Sequence, residues 1–329
     1  MVAVGMPSRR ALAPLALGCL GLVAAGCSRT PDHVSVPVSN WPGYEYFYLA
    51  EQAGLARDQG VSLSTVEFAD PQAIVHAYLR GDLAIAQLTT VEAVDICARV
   101  LDRCPVVVLV LDESVGGDQV MARQGITAIE QLRGKRVGVT LSTLGPYVLS
   151  RALELQGLSL GDVQLHNITL DSMPAALASG SVDAVAVYPP YSEYASRQGN
   201  ASTVFDSRSI PGEIFDVLVV DPQALEQQKD ALPPLLRAWQ AAHDFRRREP
   251  RRAVELMARR EGLRPAEFIH AERGLRYFSL GEQRAMLQAE GPLVRALRRV
   301  RRVQNQLKLV SPVAPMPRVS DAAVVEALR

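Results

Sequence analysis

"PQAIVHAYLRGDLAIAQLTT", residues 71–90, carries three structural signals in a row. Pro71 suits the first turn of a helix, where no backbone N–H is needed, and Gly81 suits the position just past a helix end. The short apolar run Leu83–Gln87 follows and closes on two hydroxyl residues, Thr89 and Thr90. That is the pattern of a buried strand. About a hundred residues later, "MPAALASGSVDAVAVYPP" (173–190) repeats the scheme, with Gly180-Ser181-Val182-Asp183 in the place of Gly81-Asp82-Leu83. A helix–glycine–strand unit written twice predicts two lobes of similar construction.

The flanking sequence extends this pattern. Val34–Val38, Ser62–Phe68, Leu83–Gln87 and Pro105–Leu111 read as strands of a first lobe. Gln119–Arg123, Arg136–Val139, Val163–Ile168 and Ala184–Tyr188 read as strands of a second, with helical patterns such as Leu144–Gln156 and Pro174–Ser179 between them. Alternation of this kind predicts an α/β fold in which each lobe is a mainly parallel sheet flanked by helices. After "GEIFDVLVVDP" (212–222) the pattern becomes almost continuous helix from Ala224 to Leu307. A Pro-rich strip, Pro312–Pro317, then leads to a short helix begun by Ser320 or Asp321.

The chain begins with Arg9 and Arg10 before the apolar run Ala11–Val23, about the length of a signal-peptide core. Removing residues 1–26 takes away two arginines and no acids, leaving 33 basic against 35 acidic residues, a formal charge of −2. Such a balance has no electrostatic footprint for nucleic acid. The arginines at 246–248, 251, 252 and 298–302 fall in helical patterns and read as solvated faces. The five histidines are scattered without metal-ligand spacing, so no metal or cofactor is expected. Cys97 and Cys104 flank a helix end and a strand start, and a disulfide between them is expected in an oxidising compartment.

In open parallel sheets, ligands bind beyond the carboxyl ends of the strands, where helix N-termini face the crevice. The loops at those ends supply the candidate ligand residues: Trp41 and Tyr44; Thr89 and Thr90; Asp118; Ser142 and Thr143; Tyr188; and Asp216. The hydroxyl residues either cap the helices that follow or present an anion-binding helix end. Asp118 and Asp216, beside apolar strands, either meet a ligand donor or brace a hinge. Glu213 reads as a turn residue. Aromatic residues make up only 5% of the chain, so the cluster in "SNWPGYEYFYLAEQAG" (39–54) is conspicuous. With Pro42-Gly43 starting a helix, Phe47 and Tyr48 are expected in the core. Trp41 and Tyr44 are left to form, with Tyr188, an aromatic wall in the crevice. None of these loops holds Lys or Arg, which favours a neutral or cationic ligand.

"NWPGYEYFYLAEQAGL", "RGDLAIAQLTTVEA", "LRGKRVGVTLSTLGPYVLS", "SGSVDAVAVYPPY" and "IPGEIFDVLVV", in that order, resemble the periplasmic substrate-binding proteins of ABC importers. The resemblance is to the nitrate/sulfonate/taurine and thiamine-pyrimidine-precursor superfamily. It implies a two-lobed fold, with residues 34–115 and 217–308 in one lobe, 116–216 in the other, and a tail at 309–329. Asp112–Asp118 and Gly212–Val220 would be the crossings that form the hinge. It also implies a small-molecule ligand, a permease in the inner membrane as partner, a monomeric chain and no catalysis. "VAAGCS" resembles a lipoprotein processing site, with "LALGC" ending at Cys19 as the alternative, implying a lipid on Cys27 after removal of 1–26, a linker at 27–33, and anchorage in the periplasm or on the outer face of the cell membrane. Where many relatives carry a glutamate after "VDA", this chain has Tyr188-Pro189-Pro190. A ligand-binding sensor for a membrane receptor and a pyrimidine- or menaquinone-precursor enzyme are the alternatives on the same scaffold.

Overall fold

The computed structural model describes residues 33–141 and 143–329. Cys27, the segment before it, nearly all of the expected linker and Ser142 lie outside the described residues.

The stretch 71–90 folds as its signals require. Asp70 accepts a hydrogen bond from Ala73 N (2.8 Å), Pro71 opens the helix Pro71–Arg80, and Gly81 ends it. The strand that follows is buried throughout. In chain order come the two-stranded sheet of β1 (His33–Val38) and β2 (Ser62–Glu67), and then β3 (Ile85–Thr89) and β4 (Val106–Ser114) of the first large sheet. The chain then builds β5 (Gln119–Ala122), β6 (Arg136–Val139), β7 (Gln164–Asn167), β8 (Ala184–Val187) and β9 (Ser202–Asp206) in a second sheet. It returns to the first with β10 (Phe215–Val220), β11 (Leu275–Tyr277) and β12 (Arg318–Val319). Every residue of β3, β4, β8 and β10 is buried, as continuous apolar strands covered on both faces should be.

The second sheet runs β7-β6-β8-β5-β9. The first runs β11-β4-β10-β3, with the parallel pair β1-β2 alongside β3 and the Gln87 amide donating to Pro37 O across the junction. The two are built on one plan, but they are mixed rather than mainly parallel. β5 and β10 are antiparallel to both neighbours. Each is the strand that enters its sheet directly from the other lobe, without the helical crossover that parallel pairing needs, so it arrives head to tail.

β9, β11 and β12 were not legible in sequence. A strand as short as Leu275–Tyr277 shows no period, and it interrupts what reads as helix. The helices Leu232–Arg248, Pro250–Arg260 and Pro292–Gln306 pack on the first lobe, with Trp239 fully buried and Gln304 donating to Val91 O. Phe47 is fully buried, as expected. Tyr48 is only half-buried, and the ring that goes inward instead is Tyr46, stacked 3.6 Å from His243. The structure joins Cys97 to Cys104, with Cα atoms 4.1 Å apart, linking the end of helix Thr90–Arg99 to the approach of β4.

Candidate functional site

At the cleft end of the first sheet, three ladders bring Thr89, Asp216, Asp112 and Tyr277 into one transverse row across β3, β10, β4 and β11. Residues directly opposite in a sheet point to the same face. The β4 pairing skips Leu111, a bulge immediately beside Asp112. Bulges re-aim side chains, and they recur next to functional sites.

Two rings close over this row. Trp41 is extended at the end of β1 and donates from Nε1 to Asp112 Oδ2 at 3.2 Å. Tyr44, at the end of the turn Pro42–Tyr44, donates from its hydroxyl to Asp216 Oδ1 at 2.5 Å. Two glycines make room for them. A Cβ on Gly43 would stand 1.8 Å from Asp112 Oδ2, and one on Gly117, in the first crossing, 2.7 Å from the Trp41 ring. Tyr188, from the second lobe, meets Trp41 edge to face with ring centres 5.6 Å apart.

Seven of the nine residues singled out from sequence line one cavity between the sheets: Trp41, Tyr44, Thr89, Asp118, Thr143, Tyr188 and Asp216. Thr90 is not on its wall. It is fully buried one position past the helix cap, which turns its side chain away, and its hydroxyl has no partner. Thr89 and Glu92 form a reciprocal capping box, so Thr89 both caps and lines. Thr143 donates to Thr140 O at 2.8 Å. The reading missed Glu92, which lines the cavity, and Asp112, which lies behind Trp41. The spacing Thr89-x-x-Glu92 could have revealed the first. Only the register reveals the second.

The site is acidic and nearly dry: Trp41, Tyr44, Asp112, Asp118 and Asp216 are each at most 5% exposed. Burial pushes the carboxyls of Glu92 and Asp118 up to about 7. Burial first, and then the opposing Asp112 carboxylate, hold Asp216 well above the usual range, and burial raises Asp112 as well. Tyr44 is raised by burial and next by Asp216. None of the lining residues is Lys, Arg or His. One oxygen on each of Asp112, Asp118 and Asp216, and the Tyr188 hydroxyl, is buried without a hydrogen-bond partner among the described residues.

Glu213, expected as a turn residue, is an ion-pair hub. Its carboxylate accepts from Tyr147 (2.9 Å) and Arg151 (2.8 Å) of the second lobe and from Arg299 (2.9 Å) of a helix on the first. The return crossing is braced there, and not at Asp216.

Two α/β sheets joined by two crossings, with a cleft walled from both, define a two-lobed periplasmic-binding-protein-like fold. The alkanesulfonate-binding protein SsuA from Xanthomonas axonopodis pv. citri, solved with MOPS bound, superposes with a TM-score of 0.71 at 15% identity, over 91% of this chain and 99% of that one. The sequence profile described as NMT1/THI5 like matches residues 41–253, and the chain belongs to that family. It is 23% identical over 253 residues to the taurine-binding periplasmic protein of Escherichia coli (strain K12), covering 74% of this chain and 77% of that protein. It is 26% identical over 155 residues to a Brucella abortus (strain 2308) protein described as a binding protein, a match covering 46% of this chain and about half (49%) of that protein's length.

Proposed function

We propose that this protein is the solute-binding component of an ABC importer and that it closes its two lobes over a small organic molecule. The observation that carries the reading is the interlobe cavity, walled by Trp41, Tyr44 and Tyr188 and lined by carboxylate oxygens without partners among the described residues. Family membership and the names of the periplasmic relatives support the transport role. Residues 34–115 with 217–308, and 116–216, would move as the two bodies, hinging at Asp112–Asp118 and Gly212–Val220. A lipid on Cys27 would tether the protein outside the cytoplasm, near a membrane permease. The Thr89 and Thr143 hydroxyls on the wall are engaged in capping and backbone bonds, which supports binding over catalysis.

The ligand is proposed to be neutral or cationic, with a ring or an amine, rather than a sulfonate or nitrate. The rings are already oriented by their carboxylate partners, and a desolvated cation on such a ring gains about 2 kcal/mol. A thermal-shift screen of amines, pyrimidines, sulfonates and nitrate, followed by titration of the best hit, tests this. Trp41→Ala should fold normally and bind the hit at least ~10-fold more weakly, about 1.4 kcal/mol. A bare inorganic anion as best hit, or unchanged binding by Trp41→Ala, would overturn the ring-walled site. Mass analysis of the mature protein should show cleavage after Gly26 and acylation at Cys27; a mature form beginning elsewhere would remove the anchor.

A further inference from the structure

We infer that the cleft binds an organic cation lacking any acidic group, and that the cation displaces a proton held between Asp112 and Asp216. The inference rests on the proposed solute-binding reading and names the ligand class for that site.

The geometry begins with the ladder. Asp112 and Asp216 are register partners on adjacent strands, fully inside the protein. Like charges directly opposite repel, and two buried carboxyls in contact cannot both ionise, so one proton is held between them in the unliganded closed state. Among the described residues, nothing packed around the pair supplies it with a positive charge instead. From β4, Glu113 is engaged by Gly212 N (2.7 Å) and by Arg276 of β11 (3.8 Å). From β11, Tyr277 stands opposite Asp112. From β3 and the helix it leads into come Thr89, Glu92 and Asp95, the last paired with Arg99 at 2.8 Å. The first crossing adds Asp118, and the turn after β1 adds Trp41 and Tyr44.

Asp118 lines the cavity with an oxygen that has no partner among the described residues, an acceptor for an N–H donor, and loss of the shared proton would free a second acceptor on Asp216. The elevated carboxyls at Glu92 and Asp118, up at about 7, mark the same lack of compensation. On binding, the carboxylic O–H bond of the pair breaks and its proton passes to solvent. The ligand's positive charge takes its place, so the charge of the closed site is unchanged. An anionic headgroup would meet no Lys, Arg or His on the cavity wall.

Calorimetry with four ring probes of similar size tests this: benzylamine and benzamidine as cations, benzyl alcohol as neutral, benzenesulfonate as anion. Titrations at about pH 6.5, in buffers of different ionisation enthalpy, should show roughly one proton released per bound cation. The cations should bind at least ~10-fold tighter than benzyl alcohol, and their affinity should rise by up to ~100-fold between about pH 5.5 and pH 7.5, about a decade per pH unit for one proton released. Asp216→Asn should abolish both the preference and the proton release while keeping the native circular dichroism spectrum; Asp118→Asn is the second variant should that one misfold. Cation binding without proton release, or no cation binding at millimolar concentration, overturns the inference. If benzyl alcohol or benzenesulfonate binds as tightly as the cations and is lost in Trp41→Ala, the inference falls while the cleft reading stands. Binding of any probe that ignores both Trp41→Ala and Asp216→Asn overturns the cleft reading itself.

Discussion

Asp183 and Asp216 are both buried acids beside apolar strands, one in each lobe, at 4% and 2% exposure. Asp183 sits just before β8 and is held by Arg136 through Nε and Nη2 (both 3.1 Å) and by Arg123 (2.8 Å). The hydrogen bonds from Arg136 bring its carboxyl down to about 2 despite burial. Asp216 has a tyrosine hydroxyl and another carboxyl for company, and it is raised. The same contrast holds more widely: Glu213 has Arg151 and Arg299, and Glu45 has Arg260. This protein pairs buried carboxylates with arginine where they hold the fold together. Where the two lobes meet over a cavity, Asp118 and Asp216 have no arginine partner; outside the cavity the exception is Glu261, buried beside Glu45 with neither oxygen hydrogen-bonded among the described residues. Removing a buried charge from water is unfavourable unless a partner is supplied, and Asp118 and Asp216 are the unpaired carboxylates that line the cavity, within reach of a partner from outside.

The comparison can be broken by substitution. Glu213→Ala should have the largest effect, a loss of about 3 kcal/mol, because it leaves the nearly buried Arg151 without its main partner. Urea unfolding checks it, and a change below about 1 kcal/mol would mean that the hub is not structural.

Asp216→Asn should act in the opposite direction, stabilising the unliganded protein at neutral pH. The native Asp216 carboxyl is raised, so the folded state holds a proton that the unfolded state gives up above about pH 4. The wild type therefore loses this contribution as pH rises from there toward the raised value, and the asparagine variant does not. Melting curves of the two should converge near pH 4 and separate above it. Asp183→Asn should cost about 1–2 kcal/mol, less than its shift alone suggests because Arg136 and Arg123 are 38% and 45% exposed. Its native carboxyl is lowered, so that contribution is present above about pH 4 and fades as pH falls toward 2. The smallest effect should be that of Tyr188→Phe, within about 0.5 kcal/mol of wild type, since the lost hydroxyl has no partner. A larger loss of stability would show that this hydroxyl is satisfied in solution.

Much of this molecule was legible in the sequence. Pro71, Gly81 and the run into Thr89 act through neighbours a few residues away, so helix, stop and strand could be read directly, and their repetition at 173–190 predicted the second lobe. Strand-end positions gave seven of the cavity's lining residues, because in α/β sheets the crevice lies beyond the carboxyl ends whatever the sequence there. The error at Tyr48 was one of helix phase. Two rings two positions apart lie on different faces, and only the packing against His243 selects which goes inward.

The direction of β5 and β10, the three short strands, the bulge that omits Leu111, the role of Glu213 and the meeting of Asp112 with Asp216 were decided by tertiary structure. Each depends on contacts between segments far apart in the chain: Trp41 reaches Asp112 across 71 residues, and Tyr44 reaches Asp216 across 172. Local propensity fixes which residues stand at a strand's end. Whether a carboxylate there faces an arginine or another carboxylate is set by strand register, since a shift of one residue turns a side chain to the opposite face of the sheet.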